Sequence, residues 1–229
     1  MQQRSVLEQR LKGILRAWVD PCLKPLGFRK RAFSYSRPTD EVWWLVNVQR
    51  SMWNTHEQCE FTINLGVYVP KVDALAFGRA CRHPSIARCT LQTRLGMLSK
   101  GIDEWWTIRI DDEHPAQMDS AIGQVLASLL KTHGLPFLQR FQSLRSVLNY
   151  LKAPPTRDSR GFVLPVSNGY WSFAYIGILH WLLDERELCC EVMQRAVEEA
   201  RRSRVEGLTE IAQSLYARLC SENDSEATP

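Results

Sequence analysis

The sequence predicts an α+β fold: an N-terminal helix, an antiparallel sheet of about five strands, and helices that pack on the sheet and continue past it. Three observations carry this reading. Apolar residues recur at helical spacing first, alternate at every second position through residues 28–110, and return to helical spacing from Pro115. The links between alternating runs are short, which favours antiparallel hairpins over parallel crossovers. One face of the alternating segments is strongly apolar, as in an antiparallel sheet that packs against helices on one side.

Val6, Leu7, Leu11, Ile14, Leu15 and Trp18 fall on one helical face with charges between them, so the first helix is amphipathic and should end near Pro21 or Pro25. Residues 28–36 read as a weaker strand, closed by Arg37-Pro38-Thr39-Asp40. Val42, Trp44, Val46 and Val48 alternate with Trp43, Leu45, Asn47 and Gln49, and Phe61, Ile63, Leu65, Val67 and Val69 alternate with Thr62, Asn64, Gly66 and Tyr68. These two runs form a hairpin whose apolar face should lie under the first helix, with Trp44, Val46, Ile63 and Leu65 buried. Residues 71–80 read as a short helix or excursion. Alternation resumes at Cys89, Leu91, Thr93 and Leu95, and again at Trp106, Ile108 and Ile110.

Met118, Ile122, Val125, Leu126, Leu129 and Leu130 then make a helical stripe, which His133-Gly134 should terminate. Residues 137–151 hold one or two further helices. Residues 153–160, rich in Pro and charge, read as a linker, dividing an α+β domain (1–152) from a C-terminal helical segment (161–221). That segment contains three helical patterns, 170–183, 187–202 and 207–220, the first two resembling a helix-turn-helix unit of the tetratricopeptide kind. Residues 222–229 read as a disordered tail.

With 45% apolar and 24% charged residues in 229, the composition excludes disordered and low-complexity classes. The formal charge of +4 admits a nucleic-acid partner without asking for one, because the arginines are spread along the chain. Seven cysteines, an odd number, do not resemble a secreted disulfide framework, and the charged first eighteen residues lack a signal-peptide core. Residues 161–183 carry no charge, but Pro165 and Ser167-Asn168-Gly169 break them into a stretch too short to span a bilayer. The expectation is a cytoplasmic protein with no membrane partner.

No glycine-rich phosphate loop, dinucleotide fingerprint, nucleophile elbow or zinc-protease helix is present. His56, Cys59, Cys81, His83 and Cys89 are the nearest approach to a metal set, but their spacing fits no zinc knuckle, so neither a metal nor an organic cofactor is expected. Cys189 and Cys190, adjacent on a helix, should point apart and serve packing. Asp111-Asp112-Glu113 precedes a helix and should favour its N-terminus.

The second sheet face is more informative. Asn47, Gln49, Thr62, Asn64, Gln92, Arg94, Thr107 and Arg109 share it with Trp43, Tyr68 and Trp105. Amides that hydrogen-bond polar edges, arginines that pair with carboxylate or phosphate, and indoles that stack make a candidate binding face. Its best residues are Asn47, Gln49, Asn64, Gln92, Arg94, Asp103 and Trp105, with Asp103 returning beside Arg94 as a partly buried ion pair.

Leu26-Gly27-Phe28-Arg29-Lys30, Val46-Asn47-Val48-Gln49-Arg50-Ser51 and Phe61-Thr62-Ile63-Asn64-Leu65-Gly66-Val67-Tyr68, with Cys89-x-Leu91-x-x-Arg94-Leu95-Gly96 and Asp103-x-Trp105-Trp106, resemble a bacterial family catalogued as domain of unknown function 4304. The resemblance covers about residues 6–141 and implies an α+β domain with a central antiparallel sheet; it implies no activity and no catalytic residues. Three functions follow from the residues. The first is a non-enzymatic interaction module, of accessory or immunity type, that recognises another protein. The second is an enzyme using Arg94, Asp103 and nearby histidines on a small anionic substrate. The third is a sheet that binds single-stranded nucleic acid.

Overall fold

In the computed structural model, which describes residues 2–153, 156–157, 163–164 and 169–221, the first apolar stripe forms helix α1 (Gln2–Ile14). The helix does not stop at Pro21 or Pro25. It widens into a π-helical turn over Leu15–Val19, continues as α2 (Asp20–Leu23) and tightens into a 3₁₀ turn over Lys24–Leu26. Each proline sits in the first turn of a new piece, so the helix changes its winding where a backbone N–H is missing rather than ending there. Gly27, at φ +87°, ends the run.

The single strand expected over 28–36 is instead a tight hairpin. β1 (Arg29–Arg31) turns through Ala32, at φ +52°, into β2 (Ser34–Pro38). β3 (Trp43–Arg50) and β4 (Gln58–Tyr68) pair antiparallel from Trp43↔Tyr68 to Arg50↔Phe61, giving the predicted hairpin. After α3 (Pro70–Phe77) and a 3₁₀ turn at Ile86–Arg88 comes β5 (Leu91–Arg94), shorter than the alternation suggested because Leu95 already opens α4 (Leu95–Lys100). β6 (Trp106–Arg109) follows. The antiparallel sheet runs β1-β2-β3-β4-β5, and β6 also pairs with β4. β5 takes Asn64–Val67 and β6 takes Gln58–Phe61, so two short strands share one edge of the long central strand.

On one face Trp44, Val46, Val48, Phe61, Ile63 and Leu65 are all buried. They join α1 and the later helices in one apolar cluster, and the Trp44 indole donates to the Phe141 carbonyl at 2.7 Å. The covering helices are α5 (Pro115–Leu129), a π-helical turn over Leu130–Gly134, and α6 (Leu135–Gln139). Gly134 was expected to stop a helix, but it keeps φ −67° and the chain stays helical. A Cβ there would lie 3.3 Å from the Leu95 side chain and 3.5 Å from that of Leu65, so this glycine serves close packing over the sheet. Of the expected α5 stripe, Leu126 and Leu130 are buried, whereas Met118 and Val125 are exposed and Gly123 is buried instead. Trp18 lies so tightly on Gly123 that a Cβ would come within 2.0 Å of its ring.

Two polar clusters fix the first helix. Arg10 pairs with Asp112 and Asp119, each at 2.7 Å, and donates to the Arg109 carbonyl. Asp112 therefore closes the β6–α5 loop onto α1 and accepts from the Arg109 N–H at 3.1 Å, rather than capping α5. Asp20, buried, accepts from Tyr35 Oη at 2.6 Å, Lys30 at 2.9 Å and Lys24 at 2.6 Å. Burial pulls its carboxyl up, but the hydrogen bonds from Lys24, Tyr35 and Lys30 outweigh burial and hold it at about 2.

α7 (Leu144–Lys152) opens with a capping box at Ser143–Ser146. β7 (Thr156–Arg157) pairs with β8 (Val163–Leu164), and the rest of the expected linker beyond Ala153 lies outside the described residues, as does the expected tail at 222–229. α8 (Gly169–Leu182), α9 (Arg186–Ser203) and α10 (Leu208–Cys220) match the three C-terminal patterns closely. α8 packs on α3 and α7, with Trp171 stacked on Phe77 at 5.0 Å, and Gly177 lets the Met193 side chain of α9 approach. No helix among the described residues is long and apolar enough to cross a membrane.

Two outcomes are expected. Ile63→Ala, at a fully buried position, should lower unfolding free energy in urea by ~2–5 kcal/mol through lost transfer energy and a residual cavity. The Asp20 carboxyl lies below the ordinary 3.8 when folded, so its stabilisation is complete above about pH 4 and is lost as pH falls towards 2. Asp20→Asn should therefore cost about 1–3 kcal/mol at neutral pH, and thermal melts should show the two proteins converging near pH 2.

Candidate functional site

Strand register carries the polar alternation across the second face. Asn47 lies opposite Asn64, Gln49 opposite Thr62, and Asn64 opposite Arg94. The side chains form a chain of hydrogen bonds over four strands. Asn47 Nδ2 donates to Ser34 Oγ at 2.8 Å, Asn64 Nδ2 donates to Gln49 Oε1 at 2.8 Å and Asn47 Oδ1 at 3.4 Å, and Arg94 Nε donates to Asn64 Oδ1 at 3.3 Å. Arg94 Nη1 reaches the Asp103 carboxylate, and its guanidinium lies 5.2 Å from the Trp105 ring centre. Asn64 is buried and uses both ends of its amide, so it sets the direction of the whole chain. Arg94 Nη2 has no protein partner among the described residues.

These groups line a cleft of about 330 Å³ that includes Gln49, Asn64, Gln92, Arg94, Met97 and Asp103. A glycine makes it possible. A Cβ on Gly96 would lie 2.5 Å from Glu104 Cβ and 2.7 Å from the Ile102 carbonyl oxygen, so only glycine lets the 102–104 loop cross α4 there. Thr62 Oγ1 donates to the Glu104 carbonyl at 2.8 Å and pins the same loop, which delivers Asp103 to Arg94. The pair is less enclosed than expected: the side chains are 31% and 49% exposed for Arg94 and Asp103.

The face is not polar throughout. Leu45, Tyr68 and Cys89 make a small second core beneath the 81–89 segment, and Gly66 gives it room, since a Cβ would lie 2.6 Å from Cys89 Sγ. Tyr68 was expected as an aromatic of the binding face. It is fully buried, donates to Asp73 Oδ2 at 2.8 Å, and accepts from the Cys81 N–H at 2.7 Å. Burial, reinforced by Asp73, pushes its hydroxyl pKa up. Arg88 Nε closes the network on Asp73 Oδ1 at 2.7 Å. Trp43 packs edge-on against Tyr68. Thr107 and Arg109 lie opposite Glu60 and Gln58, at the far end of β4 from the cleft.

Cys59 belongs to the main core and Cys89 to the small core on the opposite face, so His56, Cys59, Cys81, His83 and Cys89 do not converge. Cys189 and Cys190 do not point apart. Together with Cys220 at the end of α10, their Sγ atoms all lie within 4.8 Å of one another. Successive helical residues differ by only about 100° around the axis, which leaves room for a third thiol from a packed helix between them. Two further surfaces lie outside the expected face, and only the first is built by tertiary packing. One is a cavity of about 400 Å³ between α3, β5 and α8 that includes Phe77, Arg88 and Trp171. The other is the β3–β4 hairpin tip, where Met52 and Trp53 are 87% and 79% exposed.

Gly96→Ala should force the 102–104 loop outward and lower stability by about 1–3 kcal/mol in denaturant melts. Arg94→Met, at a half-exposed pair, should cost under about 1 kcal/mol in the same measurement.

The family model described as Domain of unknown function (DUF4304) matches residues 19–140, a span that holds α2, the whole sheet, α3 to α6 and every residue of the cleft. No curated protein and no solved structure matches the chain. The match takes in more than half of the chain but leaves out α1 and the C-terminal helices, so the family segment is the sheet with its cleft and the helices that directly follow it. This protein belongs to the DUF4304 family.

Proposed function

We propose that the protein is a non-enzymatic binding module that holds an acidic segment of a partner protein in the Gln49–Asn64–Arg94–Asp103 cleft. The observation that carries this reading is Arg94 itself. Its Nε and Nη1 are fixed by Asn64 and Asp103, and Trp105 lies beside its plane, so the guanidinium is held in place with Nη2 left for a carboxylate. Gln49 and Gln92 flank it with amides suited to a peptide backbone. The residues lining the cleft include no histidine or cysteine, and its one carboxylate is already engaged by Arg94, so no base–nucleophile pair stands there. Such a module suits an accessory or immunity-type protein.

The test compares wild type with Arg94→Met, which keeps the aliphatic stem. Tagged proteins are used to capture partners from the native host, and the captured protein is then titrated calorimetrically against both. The expected result is a partner whose affinity falls at least about tenfold, or ~1.4 kcal/mol, with the variant, and whose binding weakens as salt rises. Equal affinity for the two proteins, both melting as wild type, overturns the reading.

A further inference from the structure

We propose that Cys189, Cys190 and Cys220 form a three-sulfur site for one soft monovalent metal ion, Cu(I). The three residues lie outside the family match and outside the cleft, so the inference is independent of the function proposed above. The cluster is built where two helices meet. Cys189 and Cys190 lie in the N-terminal part of α9, and Cys220 is the last residue of α10, which packs on α9. Cys189 is buried and the other two are half-buried, so the site is shielded yet reachable.

The geometry favours an ion over a disulfide. Cys189 and Cys220 Sγ are 4.0 Å apart, and all three sulfurs fall within 4.8 Å of one another. An ion at the centre of an equilateral sulfur triangle with edges of 4.0 to 4.8 Å would sit about 2.3 to 2.8 Å from each sulfur. Metal–thiolate bonds run near 2.3 Å, so adjustments of a few tenths of an ångström complete the site. A disulfide needs its sulfurs to close to about 2.05 Å and would leave the third thiol unused. Among the described residues, no histidine or carboxylate joins the cluster. All-thiol ligands select soft ions, and three ligands suit Cu(I), whereas Zn(II) asks for four. On binding, each thiol releases its proton to solvent as its sulfur bonds the ion; the ion enters as Cu(I), and nothing is oxidised or reduced.

The experiment is an anaerobic titration of the reduced, full-length protein with Cu(I), buffered by a competing chelator, with Zn(II) in a parallel arm. The expected result is about one Cu(I) per chain, a thiolate-to-metal charge-transfer band in the ultraviolet, and tighter retention of Cu(I) than of Zn(II). Loading should protect Cys190 and Cys220 from alkylation while half-exposed Cys81 still reacts. Cys220→Ser should abolish the band and the stoichiometric uptake, and Cys81→Ser should change neither. Cys190→Ser, at a half-buried position, gives the same readout should Cys220→Ser fail to fold by circular dichroism. Uptake by the wild type no greater than by Cys190→Ser overturns the proposal. So does tighter retention of Zn(II), or a chain that takes up no Cu(I) but joins Cys220 to Cys189 or Cys190 on air oxidation.

Discussion

The rest of the structure depends on one strand being buried on both sides. From Phe61 to Val69 every residue of β4 and its exit is buried, although the sequence alternates apolar with polar. The apolar set meets the helices of the main core. The polar set must therefore find protein partners, since a buried amide or hydroxyl left unpaired costs about 1–3 kcal/mol. Asn64 finds Gln49, Asn47 and Arg94, Thr62 finds the Glu104 carbonyl, and Tyr68 finds Asp73. The cleft is the outcome of satisfying Asn64 and Thr62: the groups that complete them are side chains of β3 and β5 and a carbonyl of the loop before β6.

Close approach is the second theme. Gly66, Gly96, Gly123 and Gly134 each sit where a methyl group would meet a neighbour at 3.3 Å or less. None has the positive φ that marks a turn glycine. Gly66 and Gly96 frame the cleft, admitting the Cys89 segment on one side and the Glu104 loop on the other. The match to the DUF4304 model spans both glycines together with Asn64, Arg94 and Asp103.

Charge is used locally. Arg10 and Asp20 tie the first helix to opposite ends of the sheet, Arg10 through the β6–α5 loop and Asp20 through β1 and β2. Arg88 is anchored to a buried aspartate, and its guanidinium lies 4.0 Å from the Phe77 ring centre. Arg94 differs in that its carboxylate partner is half exposed, and the cleft opens beside it.

The sequence by itself determined the order of the main elements, the first helix, the β3–β4 hairpin, the short strands β5 and β6 and the later helices, but not the β1–β2 turn, α4 or the π-helical turns. It also determined which residues of β3, β4 and β5 share the polar face, because side chains alternate strictly along a strand and the short links leave an antiparallel register as the simplest solution. That is why Asn47, Gln49, Asn64, Gln92 and Arg94 were legible as one group, and why Asp103, nine residues past Arg94, could be placed near it. Tertiary structure alone decided which of those residues stay open. Tyr68 has the same parity as Asn64 but lies under the 81–89 segment, and Thr107 and Arg109 share the face but sit beyond reach of the cleft. Gly134 and Gly123 read as a helix stop and as nothing in particular, since a glycine's packing role depends on what presses against it, here Leu130 and Leu95 in one case and Trp18 in the other. The meeting of Cys189, Cys190 and Cys220 was invisible for the same reason: thirty residues separate Cys190 from Cys220, and only the packing of α10 against α9 brings the third sulfur between the first two. Local periodicity determines which face a residue takes, whereas the contact it makes there depends on how distant segments pack.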